Sequence, residues 1–187
     1  MTIDNNVWMI ALLDNPDAGI VRQSALESFE DFDIKVNLFN AITPKDVFSF
    51  INLTRKNYHP RFGSPQEFTE TERAVWYSHY FLWEKCIETN RPIVIVEEDC
   101  LLMERLPKFI GVDKIETFCY NSNRKCTPAA GYYLPVEVAI YLKDYALNKD
   151  CMFNVDNLLA KKRKKYPESI LRLAVQIERD NKTINHW

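Results

Sequence analysis

Glycine is scarce in this sequence, and long apolar runs are absent. Only 4 of the 187 residues are glycine, which argues against a solenoid, a collagen-like repeat or a flexible linker. The first residues, MTIDNNVWMIALLDNPD, contain no basic residue, and their apolar run is short. We therefore expect neither a signal peptide nor a transmembrane segment, and we expect the protein to be cytoplasmic.

Cysteines at the spacing of a metal site are absent as well. The five cysteines are scattered and form no C-x-x-C pair. The sequence therefore indicates neither a zinc ribbon nor a disulfide framework. We expect most of them to be small buried residues.

Charge is unevenly distributed along the chain. The net charge is −2, yet residues 157–187 hold eight Lys or Arg against three Asp or Glu, concentrated in KKRKK at 161–165. Such a run is typical either of a solvated helix face or of a patch that binds an anionic partner. The length is that of one domain, which we place at 1–187 with a basic segment at 157–187.

Hydrophobic periodicity predicts an alternation of strands and helices. Residues 7–13, 34–42 and 115–120 have the pattern of strands, and 20–32 and 69–90 that of helices. Thr69 and Glu72 have the spacing of a capping box at the start of the second helix. Residues 131–147 indicate a strand leading into a helix, 152–165 a further helix, and 171–178 a last strand. This order predicts an α/β sandwich with a mostly parallel sheet.

Three acids interrupt an apolar segment. The β-branched run at 93–96 ends at Glu97, Glu98 and Asp99, and adjacent carboxylates are costly to desolvate. Ligands of open α/β sheets gather at the carboxyl ends of strands. In an extended backbone the side chains of Glu97 and Asp99 point to the same side of the strand. Two carboxylates at this spacing can bind Mg²⁺ or Mn²⁺ through their oxygens. A solvated turn is the alternative.

The same region resembles a known family. The segment FTETERAVWYSHYFLWEKCIETNRPIVIVEEDCLL is similar to the central signature of family 25 glycosyltransferases, LTxGExGCxxSHxxxW followed by a strand ending in hhhEDDh. The matching positions are Thr69, Glu72, Ser78, His79 and Trp83, and then Glu97, Glu98 and Asp99. This chain departs from the pattern at Thr71 and Ala74, where the family has glycine, at Glu98, where it has Asp, and at Pro135, where it has Ser.

The resemblance implies a fold and a chemistry. The expected fold is a GT-A type, Rossmann-like α/β/α sandwich, and the expected reaction is inverting, metal-assisted transfer of a sugar from a nucleotide-sugar donor to an acceptor hydroxyl. Asp99 and Glu97 would hold Mn²⁺ or Mg²⁺, Glu98 would contact the donor sugar or ribose, and Asp156 would be the base. The candidate donor-binding residues are Arg22, Glu72, Ser78, His79 and Glu97. The candidate acceptor or phosphate patch is Arg55, Lys56, Arg61, Lys161, Lys162, Arg163, Lys164 and Lys165.

The sequence is compatible with several alternatives. Instead of binding the donor, His79 could be a buried packing residue. Glu72 and Asp156 could be helix caps rather than site residues. The acceptor is either a lipooligosaccharide or other surface glycan, or a hydroxymethylated base in phage-type DNA. The basic segment could also contact a membrane peripherally. A metal-dependent phosphohydrolase and a degenerate transferase fold acting as a binding module are the competing functions.

Overall fold

The structure is a seven-stranded sheet with helices on both faces. This computed structural model describes residues 6–47, 49–50, 69–108, 115–120, 128–148, 155–161 and 169–176. The strands are β1 Val7–Ala11, β2 Val36–Asn40, β3 Ile93–Glu97, β4 Cys100–Leu102, β5 Glu116–Tyr120, β6 Gly131–Leu134 and β7 Ser169–Gln176. The helices are α1 Pro16–Glu30, α2 Glu70–Thr89, α3 Val136–Asn148 and α4 Val155–Lys161. None of the helices in the described ranges is long and apolar enough to cross a membrane.

The sheet is mixed but mostly parallel, as the sequence predicted. Its strand order is β2-β1-β3-β6-β5-β7-β4. β1 is parallel to β2 and β3, and β5 is parallel to β7. β6 is antiparallel to both β3 and β5, and β4 is antiparallel to β7. Five strands therefore run in one direction and only β6 and β4 run in the other.

Two hydrophobic cores lie on opposite faces of the sheet. Because side chains alternate along a strand, β3 contributes to both cores. Val94 and Val96 pack on the face that carries Phe29 of α1. Ile93 and Ile95 pack on the face covered by α2, α3 and α4. This arrangement is the α/β/α sandwich that the resemblance implied, and it explains why residues 93–96 of the strand are all apolar.

The two longest helices begin at side-chain caps. Asn15 caps α1 by accepting hydrogen bonds from the backbone N–H groups of Asp17 and Ala18, and Pro16 occupies the first turn. α1 therefore begins earlier than the predicted residue 20, because the polar residues before it form the cap and first turn. The capping box predicted between Thr69 and Glu72 is confirmed at the start of α2.

The short strand β4 was not predicted, and it makes the sheet curl. β4 lies four strand positions from β3, which is about 19 Å in a flat sheet. Yet Glu97 ends β3 and Cys100 begins β4, and three residue steps span at most about 11 Å. The sheet must therefore curve so that β4 returns toward β3.

Gly131 lies inside this curl, at the start of β6. A Cβ atom there would come within 2.9 Å of Phe118 Cε2 and 3.3 Å of Cys100 Sγ. The close approach of these two side chains explains the absence of a side chain at residue 131.

Candidate functional site

The three acids lie at the carboxyl end of β3, close to the end of β1. Glu97 is the last residue of β3, and Glu98 and Asp99 form a turn before β4. The backbone is therefore not extended across the triplet, so the premise that Glu97 and Asp99 share a side through strand alternation is wrong. Each acid instead has contacts of its own.

Glu98 is fully buried and joins β1 to α1. Its Oε2 accepts a hydrogen bond from the backbone N–H of Leu12 at 3.1 Å and lies 3.5 Å from Arg22 Nη1. The same Arg22 nitrogen donates to the carbonyl oxygen of Leu12 at 2.9 Å. Arg22 thus neutralises the charge of Glu98, and two of the sequence-predicted site residues are brought together in an interaction internal to the fold.

Glu97 faces His79 of α2. Its Oε1 lies 3.5 Å from His79 Nε2, and the Glu97 side chain is 18% exposed whereas that of His79 is buried. Desolvation by burial lowers the pKa of His79 to about 4, although the charge of Asp156 opposes that shift. At neutral pH the imidazole is therefore uncharged, and its contact with Glu97 is that of a polar ring beside a carboxylate.

The other ring nitrogen of His79 contacts Tyr132 of β6. His79 Nδ1 and the Tyr132 hydroxyl are 2.9 Å apart, and Trp83 Nε1 donates to the same hydroxyl at 2.9 Å. Burial raises the pKa of Tyr132 well above its ordinary value, so the phenol keeps its proton. His79 therefore lies between a neutral hydroxyl and a carboxylate.

Asp156 enters the same region from the first turn of α4. Its Oδ1 accepts a hydrogen bond from the backbone N–H of Ala129 at 2.9 Å, and the residue is exposed. Ala130, the next residue, accepts a hydrogen bond from the backbone N–H of Glu97 at 3.0 Å. Asp156 is therefore tied to the loop before β6 and is accessible to a bound molecule.

Asp99 contacts the last described strand. Gln176 Nε2 of β7 donates to Asp99 Oδ2 at 3.2 Å, and Asp99 is 7% exposed. Within the described ranges no group of three or more His, Cys, Asp or Glu side chains could by itself hold a metal ion. In the other common arrangement for Mg²⁺, one or two carboxylates bind the ion, and phosphate oxygens and water complete its coordination.

Two of the predicted donor-binding residues have contacts inside the fold. Ser78 is buried; its hydroxyl donates to the carbonyl oxygen of Ala74 at 2.9 Å and accepts from the backbone N–H of Ile42 at 2.9 Å. Glu72 accepts a hydrogen bond from the backbone N–H of Thr69 at 3.0 Å in the capping box. Their contacts fix α2 and the segment after β2.

Most of the predicted basic patch lies outside the described residues. This holds for Arg55, Lys56 and Arg61, and also for Lys162, Arg163, Lys164 and Lys165. Lys161 is the last residue of α4. Their roles stay predictions.

Sequence reasoning missed Tyr132 and Gln176. Both belong to strands that the sequence did predict, but nothing in the local pattern distinguishes a hydroxyl or amide that reaches the site from one that does not. Strand alternation provides a partial signal for Tyr132, because it points to the α2 face of the sheet.

The fold is that of a solved glycosyltransferase. A glycosyltransferase involved in the glycosylation of the major capsid of PBCV-1 matches with a TM-score of 0.52, covering 95% of this chain and 96% of that chain at 7% sequence identity. At this identity the likeness concerns the fold alone. This likeness supports the GT-A-like α/β fold that the resemblance implied.

The family follows from the sequence. Residues 17–117, more than half of the chain, match the model of glycosyltransferase family 25 (LPS biosynthesis protein), and the chain belongs to this family. The lipooligosaccharide biosynthesis protein lic2B of Haemophilus influenzae is 34% identical over 96 residues, which are 50% of this chain and 34% of that protein. The match thus spans about a third of the length of that relative. The resemblance found in the sequence is confirmed.

Proposed function

We propose that this protein transfers a sugar from a nucleotide-sugar donor to a hydroxyl group of a saccharide acceptor. The observation that carries the proposal is the convergence of Glu97, His79 and Asp156 at the carboxyl end of β3 in a chain of glycosyltransferase family 25. These residues come from three different elements, so they meet only in the folded protein. Strand ends of this kind are where open α/β sheets bind nucleotides.

The donor diphosphate needs positive charge near the acids. Glu97 and Asp99 are the carboxylates that would hold Mn²⁺ or Mg²⁺ together with the donor, and the chemistry supplied there would be neutralisation of charge on the departing diphosphate. The charge of Glu98 is already neutralised by Arg22, so we propose that Glu98 stabilises the fold around the site and does not bind the metal. Arg22 then orients Glu98 and the end of β1.

The acceptor hydroxyl needs a base. In an inverting transfer its oxygen forms a bond to the anomeric carbon while the bond from that carbon to the diphosphate oxygen breaks, and the hydroxyl proton leaves. We assign the proton to the exposed carboxylate of Asp156, whose position is fixed by the backbone N–H of Ala129. His79 is too deeply buried to meet a saccharide.

A lipooligosaccharide is the acceptor class that we favour. This choice is supported by the name of the lic2B relative and by the family description. No contact of a described residue favours the alternative of a hydroxymethylated base in DNA.

Calorimetry with UDP, with and without Mn²⁺, tests the nucleotide and metal parts of the proposal. We expect binding that requires Mn²⁺ and that Asp99→Asn weakens at least tenfold. Asp144→Asn, at an exposed position on α3, is the matched control and should bind as the wild type does. Tight UDP binding without metal, or unchanged binding by Asp99→Asn, would contradict the assignment.

Product formation tests the reaction itself. Wild-type protein is incubated with a panel of nucleotide sugars and deacylated lipooligosaccharide, and mass spectrometry detects an added hexose or pentose. Asp156→Asn should abolish the product while leaving UDP binding intact. Release of free sugar or phosphate at the same rate without acceptor would instead indicate a hydrolase.

A further inference from the structure

A row of buried polar groups leads from α2 to the acids. It runs from Trp83 through the hydroxyl of Tyr132 to His79 and then to Glu97, with separations of 2.9, 2.9 and 3.5 Å. The first three residues are 0% exposed, and Glu97, with an 18% exposed side chain, is the first that meets solvent. Buried polar groups incur a free-energy penalty when their hydrogen bonds are not made, so the proton positions in this row are restricted.

The direction of the hydrogen bonds follows from the first donor. An indole N–H can only donate, so the Tyr132 oxygen accepts from Trp83. If His79 Nδ1 also carried a proton, the hydroxyl would accept twice, and its own proton would have no acceptor among the described residues. The hydroxyl therefore donates to Nδ1, which must be unprotonated.

The second ring nitrogen must then carry the proton. Because an imidazolium carries a proton on both nitrogens, an unprotonated Nδ1 means that the ring is a neutral imidazole with one N–H group. With Nδ1 unprotonated, the proton is on Nε2, which faces Glu97 Oε1 at 3.5 Å. In the opposite tautomer a nitrogen lone pair would face the carboxylate and repel it.

We propose that Tyr132 is a positioning residue: its hydroxyl, held by Trp83, fixes the tautomer of His79 in which the Nε2 proton orients the carboxylate of Glu97. The effect on catalysis rests on the proposed function, whereas the tautomer does not. Within the described residues His79 Nε2 makes no hydrogen bond, and its 3.5 Å contact with Glu97 Oε1 would shorten to one when a ligand binds, as polar contacts in unliganded sites often do.

Ring nitrogen spectra of histidine test the tautomer directly. The chain contains 3 histidines, so a sample labelled with ¹⁵N-histidine gives few signals, and His79→Gln assigns those of His79. Nε2 couples to both carbon-bound ring protons, whereas Nδ1 couples strongly to one, which tells the two nitrogens apart. We expect the proton on Nε2. A wild-type spectrum with the proton on Nδ1 overturns the proposal.

Two variants show whether Tyr132 or Glu97 fixes the tautomer of His79. Glu97→Gln should leave the proton on Nε2. Tyr132→Phe should shift the Nδ1 resonance toward that of an imidazole nitrogen with no hydrogen-bond donor. Tyr133→Phe removes a hydroxyl from the same strand on the opposite face and should leave the His79 signals unchanged. Movement of the proton in Glu97→Gln, or an unshifted Nδ1 in Tyr132→Phe, overturns the proposal. If Tyr132→Phe does not fold, the wild-type and Glu97→Gln spectra still decide.

A double-mutant cycle tests the consequence for the site. Tyr132→Phe should weaken Mn²⁺-dependent UDP binding about tenfold when Glu97 is present and less than about twofold in the Glu97→Gln background. A merely structural role of Tyr132 predicts the same loss in both backgrounds, and that result overturns the positioning role. Protein that has the Nε2 tautomer but binds no UDP in any variant refutes the proposed function and supports the tautomer assignment.

Discussion

Replacement of Glu98 by glutamine tests whether the middle acid of the triplet is part of the fold. Its carboxylate is buried, accepts a hydrogen bond from Leu12 N–H at 3.1 Å and lies 3.5 Å from Arg22 Nη1. Glutamine has nearly the same shape but no charge. It would leave the guanidinium of Arg22 near the end of β1 without its counter-charge.

The expected loss of stability can be bounded. A hydrogen bond to a charged group contributes about 1.5–3 kcal/mol, and removal of one partner from a fully buried ion pair costs about 3–5 kcal/mol. The Arg22 side chain is 17% exposed, so water would partly solvate its unpaired guanidinium and reduce the cost of breaking the ion pair. We therefore expect Glu98→Gln to lower the free energy of unfolding by about 2–3 kcal/mol, a fall in Tm of roughly 5–10 °C for a chain of this size.

Urea unfolding followed by far-ultraviolet circular dichroism measures this difference. Glu88→Gln, at an exposed position on α2, is the matched control and should change stability by less than about 0.5 kcal/mol. Arg22→Gln combined with Glu98→Gln should cost less than the sum of the two single changes. A Glu98→Gln protein as stable as the control would refute the reasoning, since it would mean that the charge of Glu98 is solvated.

Three further predictions concern stability. Because burial lowers the pKa of His79 from 6.5 to about 4, unfolding takes up a proton between these pH values. The metal-free wild type should thus lose about 3 kcal/mol as the pH falls through this window. His79→Gln should lack that component, and an identical pH dependence in both proteins would contradict the assignment. Thr69→Ala removes the capping box with Glu72 and should cost about 1 kcal/mol in urea unfolding; no change would mean that the cap is not formed. Gly131→Ala places a methyl group 2.9 Å from Phe118 Cε2 and should cost about 1–3 kcal/mol; a stabilised variant would show that the sheet is less tightly curled.

The main elements were predictable because their signals are local. The apolar run at 93–96 and the capping box at Thr69 each specify an element within a few residues of sequence, and both were found. β4 has three residues, too few to show a period, so it was missed. α1 begins before the predicted residue 20 because Asn15 caps it and Pro16 is its first residue; neither residue belongs to the apolar pattern from which the helix was predicted.

The sequence predicted the strand end that carries the candidate site, but not the contacts of the individual acids. The acid triplet correctly indicated a strand end, because charge has no packing reason to follow an apolar strand. The different environments of its members depend on partners distant in sequence. Asp99 contacts Gln176, 77 residues away, and Glu98 contacts Arg22 of α1. A single sequence contains no local signal for either contact.

The pairing of β4 with β7 determines when the candidate site can form during synthesis of the chain. The ribosome makes the acids long before Gln176, and β6, α4 and β7 all follow the segment 17–117 that identifies the family. A nascent chain halted after that segment would carry the acid turn but lack Tyr132, Asp156 and the strand that pairs with β4. The final assembly of this site therefore awaits the emergence of β7, however early its acidic residues are translated.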